Sequence, residues 1–527
     1  MNIPLTPLRF LRFAERQYAG RTAVVCGNVR LTYKQFGDRV GRLAGTLVQA
    51  GVRPGDRVAY LGVNCHRLLE AYYGVLEAGA ILLPLNIRLA GNELSYILNE
   101  AGATMLFLDA QFLALVTSIR ESLSTVKSFC LLNGEPEVSW LVPESYDALL
   151  DKASAYRTDV TFVGEDDVAE IFYTSGTSAR PKGVMLTHRN IYLHALEVCI
   201  TFGNENGAVD LHTIPLFHAN GWGAAHYVTQ LGGKHVMMGT FDPLEVFRLI
   251  QTEKINHFCA VPIMASVLAN HPDRTKYDLT SLRRITIGGA ASSPALIREA
   301  EEKLGCDCFA GYGLTETSPV VSIARPKEES HWTGEQRFVE QSSAGYPIAG
   351  LEVKIVDSED RDVAQNGRDI GELIVRGNGV MKGYWNQPEA SADAFRSGWL
   401  HTGDIASLTE DGCIQIVDRK KDIIISGGEN ISSLEVEKVL LAHPAVLEAC
   451  VIPVPDAKWG EVPKALVILR PGFVASETAL IDFCRSHLSH YKCPRSLVFV
   501  DALPKTATGK VLKKDLRKRY EQLATSR

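Results

Sequence analysis

The chain has 527 residues, of which 46% are hydrophobic and 22% are charged, and its formal net charge is −6. This length exceeds what one hydrophobic core usually organises, so we expect at least two domains. The composition is that of an ordinary globular protein. The negative charge argues against a general nucleic-acid binder, which needs a strongly basic surface. Anionic substrates must therefore be bound by local features of the fold.

The cysteines and the apolar stretches bear on the cellular compartment. The 11 cysteines are scattered, and no second pair follows Cys306 and Cys308 at the spacing of a zinc site. This pattern predicts reduced thiols in a cytoplasmic protein. Residues 1–17 carry charges inside their apolar run, which is typical of an amphipathic helix and not of a signal peptide. The most apolar long stretch, residues 71–87, contains Glu77 and Pro84, so we expect no integral membrane segment.

The first half of the chain alternates apolar runs of strand length with amphipathic stretches of helix length. Residues 34–50, for example, carry apolar side chains at helical spacing, and a turn with glycine and proline separates them from a buried strand at 57–63. This alternation predicts a parallel sheet with covering helices. The other predicted strands lie at 22–26, 30–33, 80–84, 104–108, 209–216, 234–238, 258–261, 284–287 and 308–309, and the other helices at 66–79 and 94–101.

Around residue 350 the pattern changes to short alternating segments, separated by charged, turn-rich stretches, which is typical of antiparallel sheet. Strands are predicted there at 350–357, 371–376 and 413–417. A helix at 433–442, strands at 446–454 and 463–469, and a helix at 477–488 then indicate a compact α+β unit. We therefore predict an α/β protein with a large N-terminal domain, residues 1–418, and a small C-terminal domain, residues 419–527. The large domain would combine parallel sheets, covering helices and an antiparallel β lobe.

A loop rich in hydroxyl groups follows the apolar run at residues 168–172 and reads YTSGTSARPKG from Tyr173 to Gly183. Small residues let backbone N–H groups approach a phosphate, and the hydroxyls and Lys182 add further donors. The G-x-x-x-x-G-K-[ST] spacing of a Walker loop is absent. We interpret the segment as a candidate phosphate loop, with an ordinary Ser/Thr/Gly loop as the alternative.

Three further motifs suit a nucleotide. In GYGLTET, residues 311–317, the glycines allow close backbone approach, Tyr312 offers a stacking face and Glu316 offers a carboxylate for Mg²⁺. Asp404, on a predicted tight turn in HTGD, can accept both hydroxyls of a ribose, to which Arg419 can also donate. Lys510, in PKTATGK, can place a positive charge on a phosphate. Each motif taken alone has an ordinary turn or a solvated charge as its alternative.

Together, the motifs YTSGTSARPKG, GYGLTET, GWLHTGD, DRKKDIIISGGENIS and PKTATGK resemble those of the acyl-adenylate-forming superfamily, in its order and at its usual distances. This superfamily includes acyl-CoA synthetases, luciferases and nonribosomal-peptide adenylation domains, and the resemblance spans essentially the whole chain. It is greatest to acyl-CoA synthetases, the fatty-acid–CoA ligases among them. The resemblance implies that a carboxylic acid and MgATP give an acyl-adenylate and pyrophosphate. The thiol of coenzyme A (CoA) then attacks the adenylate and expels AMP.

The resemblance also implies roles for individual residues. Thr174 to Ser178 and Lys182 would hold the β- and γ-phosphates, and Tyr312 would stack on adenine. Lys510 would bridge the carboxylate and the α-phosphate, where negative charge builds up. The implied ATP- and AMP-binding residues are Thr174, Ser175, Gly176, Thr177, Ser178, Lys182, Gly289, Ala290, Ala291, Gly311, Tyr312, Gly313, Asp404 and Arg419. The implied catalytic residues are Lys510, Thr315, Glu316 and His218, and the implied Mg²⁺ ligands are Thr177 and Glu316.

The C-terminal domain is expected to be mobile. Lys421 stands at the position of the superfamily's hinge, about which this domain rotates between adenylation and thioester formation. The residues implied to face CoA after that rotation are Ser426, Gly427, Gly428 and Glu429. One departure from the superfamily's pattern is Ser178-Ala179 in place of Thr-Gly. Serine keeps the hydroxyl, but alanine loses the freedom for positive φ. We therefore expect a slightly stiffer loop with an unchanged role, so that the change would bear on ATP affinity and not on the reaction type.

The acid is less well specified by the sequence. The residues implied to line the acyl pocket are His218, Trp222, Gly313 and Leu314. Trp222 is a candidate gate of an acyl tunnel, with a core aromatic as the alternative. The stretch FHANGWGAAH has no aspartate to bind an amino acid's ammonium group, which argues against an amino-acid adenylator. The near-neutral run 221–228 indicates an apolar pocket, and medium- or long-chain fatty acids are the leading class of substrate. Short-chain, thioether and aromatic acids remain open, as does an acyl-AMP ligase that loads a carrier protein. We expect ATP and CoA as co-substrates and Mg²⁺ as the cofactor. We expect no nucleic-acid partner, and a homodimer remains open.

Overall fold

The computed structural model describes residues 3–135, 137–174, 180–203, 207–325, 327, 333–456, 458–505 and 511–525. The strands are, in chain order, β1 Thr22–Cys26, β2 Val29–Thr32, β3 Arg57–Leu61, β4 Ile81–Pro84, β5 Ala103–Leu108, β6 Ser128–Leu131, β7 Val168–Thr174, β8 Lys182–Thr187, β9 Val209–His212, β10 Lys234–Met237, β11 His257–Ala260, β12 Arg284–Ile287, β13 Asp307–Gly313, β14 Val320–Ile323, β15 Tyr346–Pro347, β16 Leu351–Val356, β17 Gly371–Gly377, β18 Gly383–Tyr384, β19 Phe395–Arg396, β20 Trp399–Leu408, β21 Ile414–Arg419, β22 Ile424–Ser426, β23 Glu429–Ile431, β24 Val446–Asp456, β25 Gly460–Leu469 and β26 Ser496–Phe499.

The helices are, in chain order, α1 Leu8–Gln17, α2 Tyr33–Gln49, α3 His66–Glu77, α4 Gly91–Ala101, α5 Leu113–Ile119, α6 Tyr146–Lys152, α7 His188–Phe202, α8 Ala219–Trp222, α9 Ala224–Gln230, α10 Pro243–Glu253, α11 Pro262–Asn270, α12 Pro294–Leu304, α13 Gly334–Gln341, α14 Pro388–Ala394, α15 Ser433–Ala442, α16 Glu477–His487 and α17 Lys513–Thr525. Within the residues described, no helix is both long enough and apolar enough to cross a membrane.

Two large sheets confirm the predicted parallel α/β architecture. One has seven strands in the order β18-β8-β7-β4-β3-β5-β6, parallel from β7 through β4, β3 and β5 to β6. The other has nine strands in the order β15-β14-β13-β12-β11-β9-β10-β1-β2, with antiparallel pairs at both edges. All four residues of β4 and of β11 are buried, as expected for parallel strands covered on both faces.

The ends of several elements follow from local hydrogen bonds. Helix α2 begins after Thr32, whose side chain accepts a hydrogen bond from the amide of Gln35 while Gln35 reaches back to the amide of Thr32. The strand predicted at 209–216 ends at His212. Beyond it, the side chain of Asn64 binds the carbonyls of His212 and Ile214 and the amide of Leu216, in place of a neighbouring strand. The prediction was therefore too long at this end.

The antiparallel lobe and the C-terminal unit also have the predicted character. Strands β16-β17-β20-β19 form an antiparallel sheet, with β21 paired to β20. The C-terminal sheet has the order β23-β22-β25-β24, with β26 parallel to β25, and packs against α15 and α16 through apolar side chains that include Val436, Leu440 and Leu480. The hairpin of β22 and β23 was not predicted, because its strands have only three residues each and a glycine-rich turn between them.

Candidate functional site

The ends of the candidate phosphate loop lie on two paired strands. Thr174 is the last residue of β7 and Lys182 the first of β8, and the two face each other across the antiparallel ladder. The loop is therefore the connection of a hairpin at one side of the seven-stranded sheet. Ser175, Gly176, Thr177, Ser178 and Ala179 lie outside the described residues, so their predicted contacts with phosphate and Mg²⁺ stay predictions.

Tyr312, Asp404 and Arg419 meet, although they are far apart in the sequence. The Tyr312 hydroxyl donates to Asp404 Oδ2 at 2.6 Å, and Arg419 Nε lies 3.0 Å from Asp404 Oδ1. Asp404 is buried, and burial, together with the neighbouring Asp404 carboxylate, raises the pKa of Tyr312 well above its usual value. Tyr312 is therefore a neutral hydroxyl donor at physiological pH, and the three side chains form one polar group.

Two expectations about the backbone at these residues were wrong. Asp404 is not on a tight turn but inside β20, directly opposite Arg419 of β21. Gly403 has φ = 71° and the ladder is irregular just beyond Asp404, so the turn-like sequence is accommodated as a distortion of a continuous strand. Similarly, Gly311, Tyr312 and Gly313 do not follow a strand but are the last three residues of β13.

Glu316 and Lys182 converge on a residue that the motifs did not include. Glu316 lies in a single 3₁₀ turn, Thr315–Thr317, and its Oε1 accepts a hydrogen bond of 3.0 Å from the Tyr384 hydroxyl. Lys182 Nζ lies 4.7 Å from the centre of the Tyr384 ring. Tyr384 therefore contacts both the implied Mg²⁺ ligand and an implied phosphate-binding lysine. In the sequence, Tyr384 stands in Gly-Tyr-Trp just after Lys382, and this tripeptide alone does not indicate a functional site.

A cleft of about 1280 Å³ lies between the large domain and the C-terminal unit. On the side of the large domain, the residues that line it include Gly289, Ala290, Ala291, Tyr312, Asp404 and Arg419. On the side of the C-terminal unit, they include Glu435, Lys438, Lys505, Val511 and Lys513. The residues implied to bind adenosine thus face the segments on either side of 506–510. Lys510 itself lies outside the described residues, so its catalytic role stays a prediction.

The implied hinge and CoA-side residues are not among the described residues that line this cleft, although Arg419 and Asp422 beside Lys421 are. The backbone carbonyl of Lys421 accepts a hydrogen bond of 2.8 Å from Arg517 of α17. Ser426 to Glu429 form the turn of the β22–β23 hairpin, where Gly427 and Gly428 have φ of 60° and 89°. Among the described residues that line the cleft, none comes from this turn.

A second cavity, of about 70 Å³, adjoins Tyr312 and is a candidate acyl pocket. Its lining is mostly apolar and consists of Phe202, Trp222, Thr286, Gly289, Gly311, Tyr312, Gly313, Pro319 and Val320. The indole of Trp222 packs against the chain at Gly288, where an added Cβ would lie 2.9 Å from Cη2. Glycine at 288 therefore makes room for the indole, which forms one wall of this cavity.

Of the other implied acyl-pocket residues, Gly313 lines the cavity, whereas Leu314 and His218 do not appear among its described lining residues. His218 precedes α8 and stacks at an angle on Phe217, with its ring centre 4.8 Å away. Burial, helped by the nearby Arg88 cation, lowers the pKa of His218 to about 4. His218 is therefore neutral at physiological pH, and its implied catalytic role stays a prediction.

The segment called α8 has a left-handed backbone. Ala219, Asn220, Gly221 and Trp222 have φ of 36°, 47°, 61° and 63°. A non-glycine residue costs about 1–2 kcal/mol in this region, so three of them in one turn must be held by their surroundings. The sequence did not predict this turn, because Gly221 and Asn220 tolerate positive φ whereas Ala219 and Trp222 do not favour it.

Comparison with known proteins agrees with the family resemblance over nearly the whole chain. Residues 10–385 match the family model "AMP-binding enzyme", and residues 435–510 match "AMP-binding enzyme C-terminal domain". A butyrate–CoA ligase of Arabidopsis thaliana is 35% identical over 98% of this chain and 93% of its own. A long-chain-fatty-acid–CoA ligase of Thermus thermophilus is 37% identical over 97% of this chain and 95% of its own. The crystal structure of the anthranilate CoA ligase AuaEII with anthranoyl-AMP superimposes with a TM-score of 0.90, at 27% identity, over 100% and 99% of the two chains.

Proposed function

Since the chain belongs to the AMP-binding enzyme family and is an acid–thiol ligase, we propose that it converts an apolar carboxylic acid and MgATP into an acyl-adenylate and then into an acyl-CoA. The observation that carries this proposal is the meeting of Tyr312, Asp404 and Arg419 in one cleft that the C-terminal unit closes. A stacking ring beside a carboxylate and a guanidinium suits an adenosine, whose ribose hydroxyls can donate to the carboxylate.

The chemistry explains why a nucleotide is needed. A carboxylate is a poor acyl donor, because its leaving group would be an oxide ion. One carboxylate oxygen attacks the α-phosphorus and pyrophosphate leaves; the CoA thiolate then attacks the acyl carbon, and AMP leaves with the bridging oxygen. We assign Lys510 to the first step, where an ammonium offsets charge as one anion approaches another. Thr315, on the turn next to Glu316, is assigned to the α-phosphate.

The residues around Glu316 fit a magnesium ion. Magnesium is bound by carboxylate oxygens together with substrate phosphates. The half-buried carboxylate of Glu316 is hydrogen-bonded to Tyr384, whose ring also contacts Lys182, an implied phosphate-binding residue. We therefore assign Glu316, with Thr177, to Mg²⁺. When bound, the ion would neutralise phosphate charge. Tyr384 holds the carboxylate that would bind it.

The acid is proposed from the cavity beside Tyr312. Its apolar lining has no charged side chain among the described residues, which supports an acid with an apolar tail. At about 70 Å³, with the indole of Trp222 as a wall, the cavity suits a short chain or a compact group. A medium- or long-chain fatty acid, which we retain as the leading class, requires Trp222 to move as a gate. Short-chain, thioether and aromatic acids are the alternatives.

The test is a direct assay of both products. The purified protein is incubated with ATP, Mg²⁺ and CoA and, in separate reactions, acetate, butyrate, octanoate, palmitate, benzoate or ferulate. Mass spectrometry should detect AMP and one acyl-CoA in equal amounts, only where the correct acid is present. Replacing CoA by a carrier protein with a phosphopantetheine arm tests the alternative of an acyl-AMP ligase. Release of AMP without acid, or of ADP, would contradict the proposal.

The role of Trp222 is tested in the same assay. Trp222→Ala enlarges the cavity, so kcat/KM for octanoate and palmitate should rise relative to butyrate, while KM for ATP stays unchanged. Unchanged ratios between the acids would show that Trp222 is not a wall of the acyl pocket.

A further inference from the structure

A buried carboxyl group lies beneath the left-handed turn that carries Trp222. Glu170, in the middle of β7, is 0% exposed. Its Oε2 accepts a hydrogen bond of 2.9 Å from Asn220 Nδ2, and its Oε1 lies 3.1 Å from His226 Nε2 in α9. Asn220 and His226 are each 1% exposed. A polar group this deeply buried is costly unless it is hydrogen-bonded, so the two bonds tie the three side chains into one polar unit inside the core.

This unit holds the turn at Asn220, one of its left-handed residues. Asn220 has φ = 47° and ψ = 41°, and its other polar atom, Oδ1, has no hydrogen-bond partner among the described residues. The amide is therefore fixed through Nδ2 and Glu170. On the far side of the turn, His226 stands edge-to-face on Tyr72 and Tyr73, with ring centres 5.8 and 5.5 Å away, which fixes the orientation of its imidazole. The turn and the helix α9 that follows it are thus attached to one carboxyl group.

The same carboxyl group lies between the two halves of the candidate site. Glu170 is on the strand that ends at Thr174, where the phosphate loop begins. Two residues after Asn220, Trp222 forms a wall of the cavity beside Tyr312. A change in the turn's backbone would therefore move the indole, while β7 itself remains paired with its neighbours β4 and β8.

We propose that Glu170 is a positioning residue for the acyl pocket: through Asn220 and His226 it holds the left-handed turn and so fixes the Trp222 wall that selects the acid. The proposal rests on the proposed function, because it takes the cavity as an acyl pocket. Glu170 does not touch substrate, so its effect is transmitted through Trp222.

Two variants of Glu170 separate hydrogen bonding from charge. Glu170→Leu keeps the approximate volume but removes both acceptors. Glu170→Gln keeps an oxygen for Asn220 and offers an N–H to His226 Nε2. Because His226 Nδ1 has no partner among the described residues, the ring can shift its proton there and accept that N–H. KM for the acid should rise about tenfold in Glu170→Leu, the loss expected for such a hydrogen bond, and remain near wild type in Glu170→Gln.

A third variant tests the path through the turn. Asn220→Gly permits the left-handed backbone but removes the tether. It should reproduce the rise in KM for the acid, and the double variant Glu170→Leu/Asn220→Gly should add nothing further, because both changes break one unit. KM for ATP should remain within about twofold in all three variants. The matched control is Glu70→Gln, an equally buried acid bonded to Arg39 and Tyr146 away from the cavity, which should leave KM for the acid unchanged.

Hydrogen–deuterium exchange gives a readout that does not depend on any activity. The amides of Gly221 and Gly223 donate to the carbonyls of His218 and Ala219 at 3.0 and 3.3 Å. Exchange in the peptide covering 217–226 should accelerate in Glu170→Leu and Asn220→Gly, and not in Glu170→Gln or Glu70→Gln. If the wild-type protein activates no acid, the proposed function fails, and this exchange pattern still decides the positioning role. Unaltered exchange in Glu170→Leu, equal losses in the Leu and Gln variants, or parallel changes in KM for ATP would overturn the proposal.

Discussion

Tyr384 shows how one side chain can organise a charged site. Its hydroxyl donates to Glu316, and its ring face lies beneath the ammonium of Lys182. Burial, with the nearby Glu316 carboxylate, raises the pKa of Tyr384, so the hydroxyl stays protonated and can keep donating. A ring that meets a cation on its face and a carboxylate at its hydroxyl can hold the two opposite charges at a fixed separation.

Tyr384→Phe is predicted to lower the adenylation rate and to raise the Mg²⁺ concentration needed for half-maximal rate. The variant keeps the ring beneath Lys182 but removes a hydrogen bond to a carboxylate, worth about 1.5–3 kcal/mol, or roughly tenfold or more in rate. Tyr384→Leu, which also removes the ring, should lose more. Acid-dependent ATP–pyrophosphate exchange as a function of Mg²⁺ measures both. An exchange rate equal to wild type in Tyr384→Phe would remove Tyr384 from the site.

Glu197 should make the stability of the fold depend on pH. This α7 residue is buried, its Oε2 has no hydrogen-bond partner among the described residues, and burial raises its pKa to about 7. A raised pKa of an acid means that the folded state binds the proton more tightly than the unfolded chain. The contribution to stability is therefore present at low pH and is lost as pH rises through about 7.

Glu197→Gln should be more stable than the wild type at pH 8, by about 3 kcal/mol, and nearly equal to it at about pH 4, where the carboxyl group is mostly protonated in the unfolded chain as well. The glutamine stays neutral at both pH values, so only the cost of the buried charge is removed. Urea unfolding at the two pH values measures the difference. A stability difference that does not change with pH would show that Glu197 is solvated or paired in the folded protein.

At the scale of elements, the β20–β21 ladder positions the two residues that we assign to the ribose. Asp404 and Arg419 are directly opposite in register, and Tyr312 reaches Asp404 from β13 of the nine-stranded sheet. Asp404→Ala should raise the Kd for ATP at least about tenfold, because the ribose loses an ionised acceptor and Arg419 loses its partner. Isothermal titration with ATP measures this. The control is Glu352→Ala on β16 of the same sheet, an exposed residue paired with Arg376, which should bind ATP normally. Normal binding in Asp404→Ala would place the ribose elsewhere.

The sequence predicted strands and helices well where the apolar period was long, and poorly where tertiary contacts decided the outcome. The strand Arg284–Ile287 and the helix Ser433–Ala442 have the predicted bounds, because each has an unbroken pattern and, for the helix, the capping side chain of Ser432. The strand from Val209 was predicted too long, because Asn64, distant in sequence, replaces its sheet partner.

Some residues of the candidate site could be predicted from the sequence, and others could not. Motif residues such as Tyr312 and Asp404 could be selected from the sequence, because their chemistry and spacing are shared with a family. Tyr384, Glu170 and Asn220 could not, because each acquires its significance only from a partner far away in the chain. The hydrogen bond between Asn220 and Glu170 was also unpredictable, since it joins the left-handed turn to a strand that lies 50 residues earlier in the chain.

At the scale of the whole molecule, hydrogen bonds near Lys421 fix the chain in one orientation at the predicted domain boundary. Asp418 Oδ2 accepts hydrogen bonds from the backbone and side chain of Ser433, both at 2.6 Å, at the start of α15. Arg517 binds the carbonyl of Lys421. In this orientation the cleft is lined by Lys505 and Val511, and not by the described residues of the β22–β23 turn. We propose that adenylation uses this orientation and that transfer to CoA requires rotation about Lys421.

Lys421→Pro should make acyl-AMP at a nearly normal rate but transfer it poorly to CoA. Proline fixes φ near −65° and restricts the residue before it, so it should hinder the rotation while leaving the cleft intact. Single-turnover reactions started with acid and ATP, or with synthetic acyl-AMP and CoA, measure the two steps separately. A melting temperature near that of the wild type is the required control. Undiminished thioester formation by a folded variant would move the hinge away from Lys421.

The central claim, that the acid itself attacks the α-phosphorus of ATP, is tested most directly with an acid labelled with ¹⁸O in both carboxylate oxygens. The acid that supports AMP release in the panel is incubated with ATP, Mg²⁺ and CoA, and the products are analysed by mass spectrometry. If an acyl-adenylate forms, AMP leaves with the bridging oxygen, so it should carry one ¹⁸O atom while pyrophosphate carries none and the acyl-CoA retains the other. Label in inorganic phosphate with formation of ADP, or AMP without label, would contradict the account.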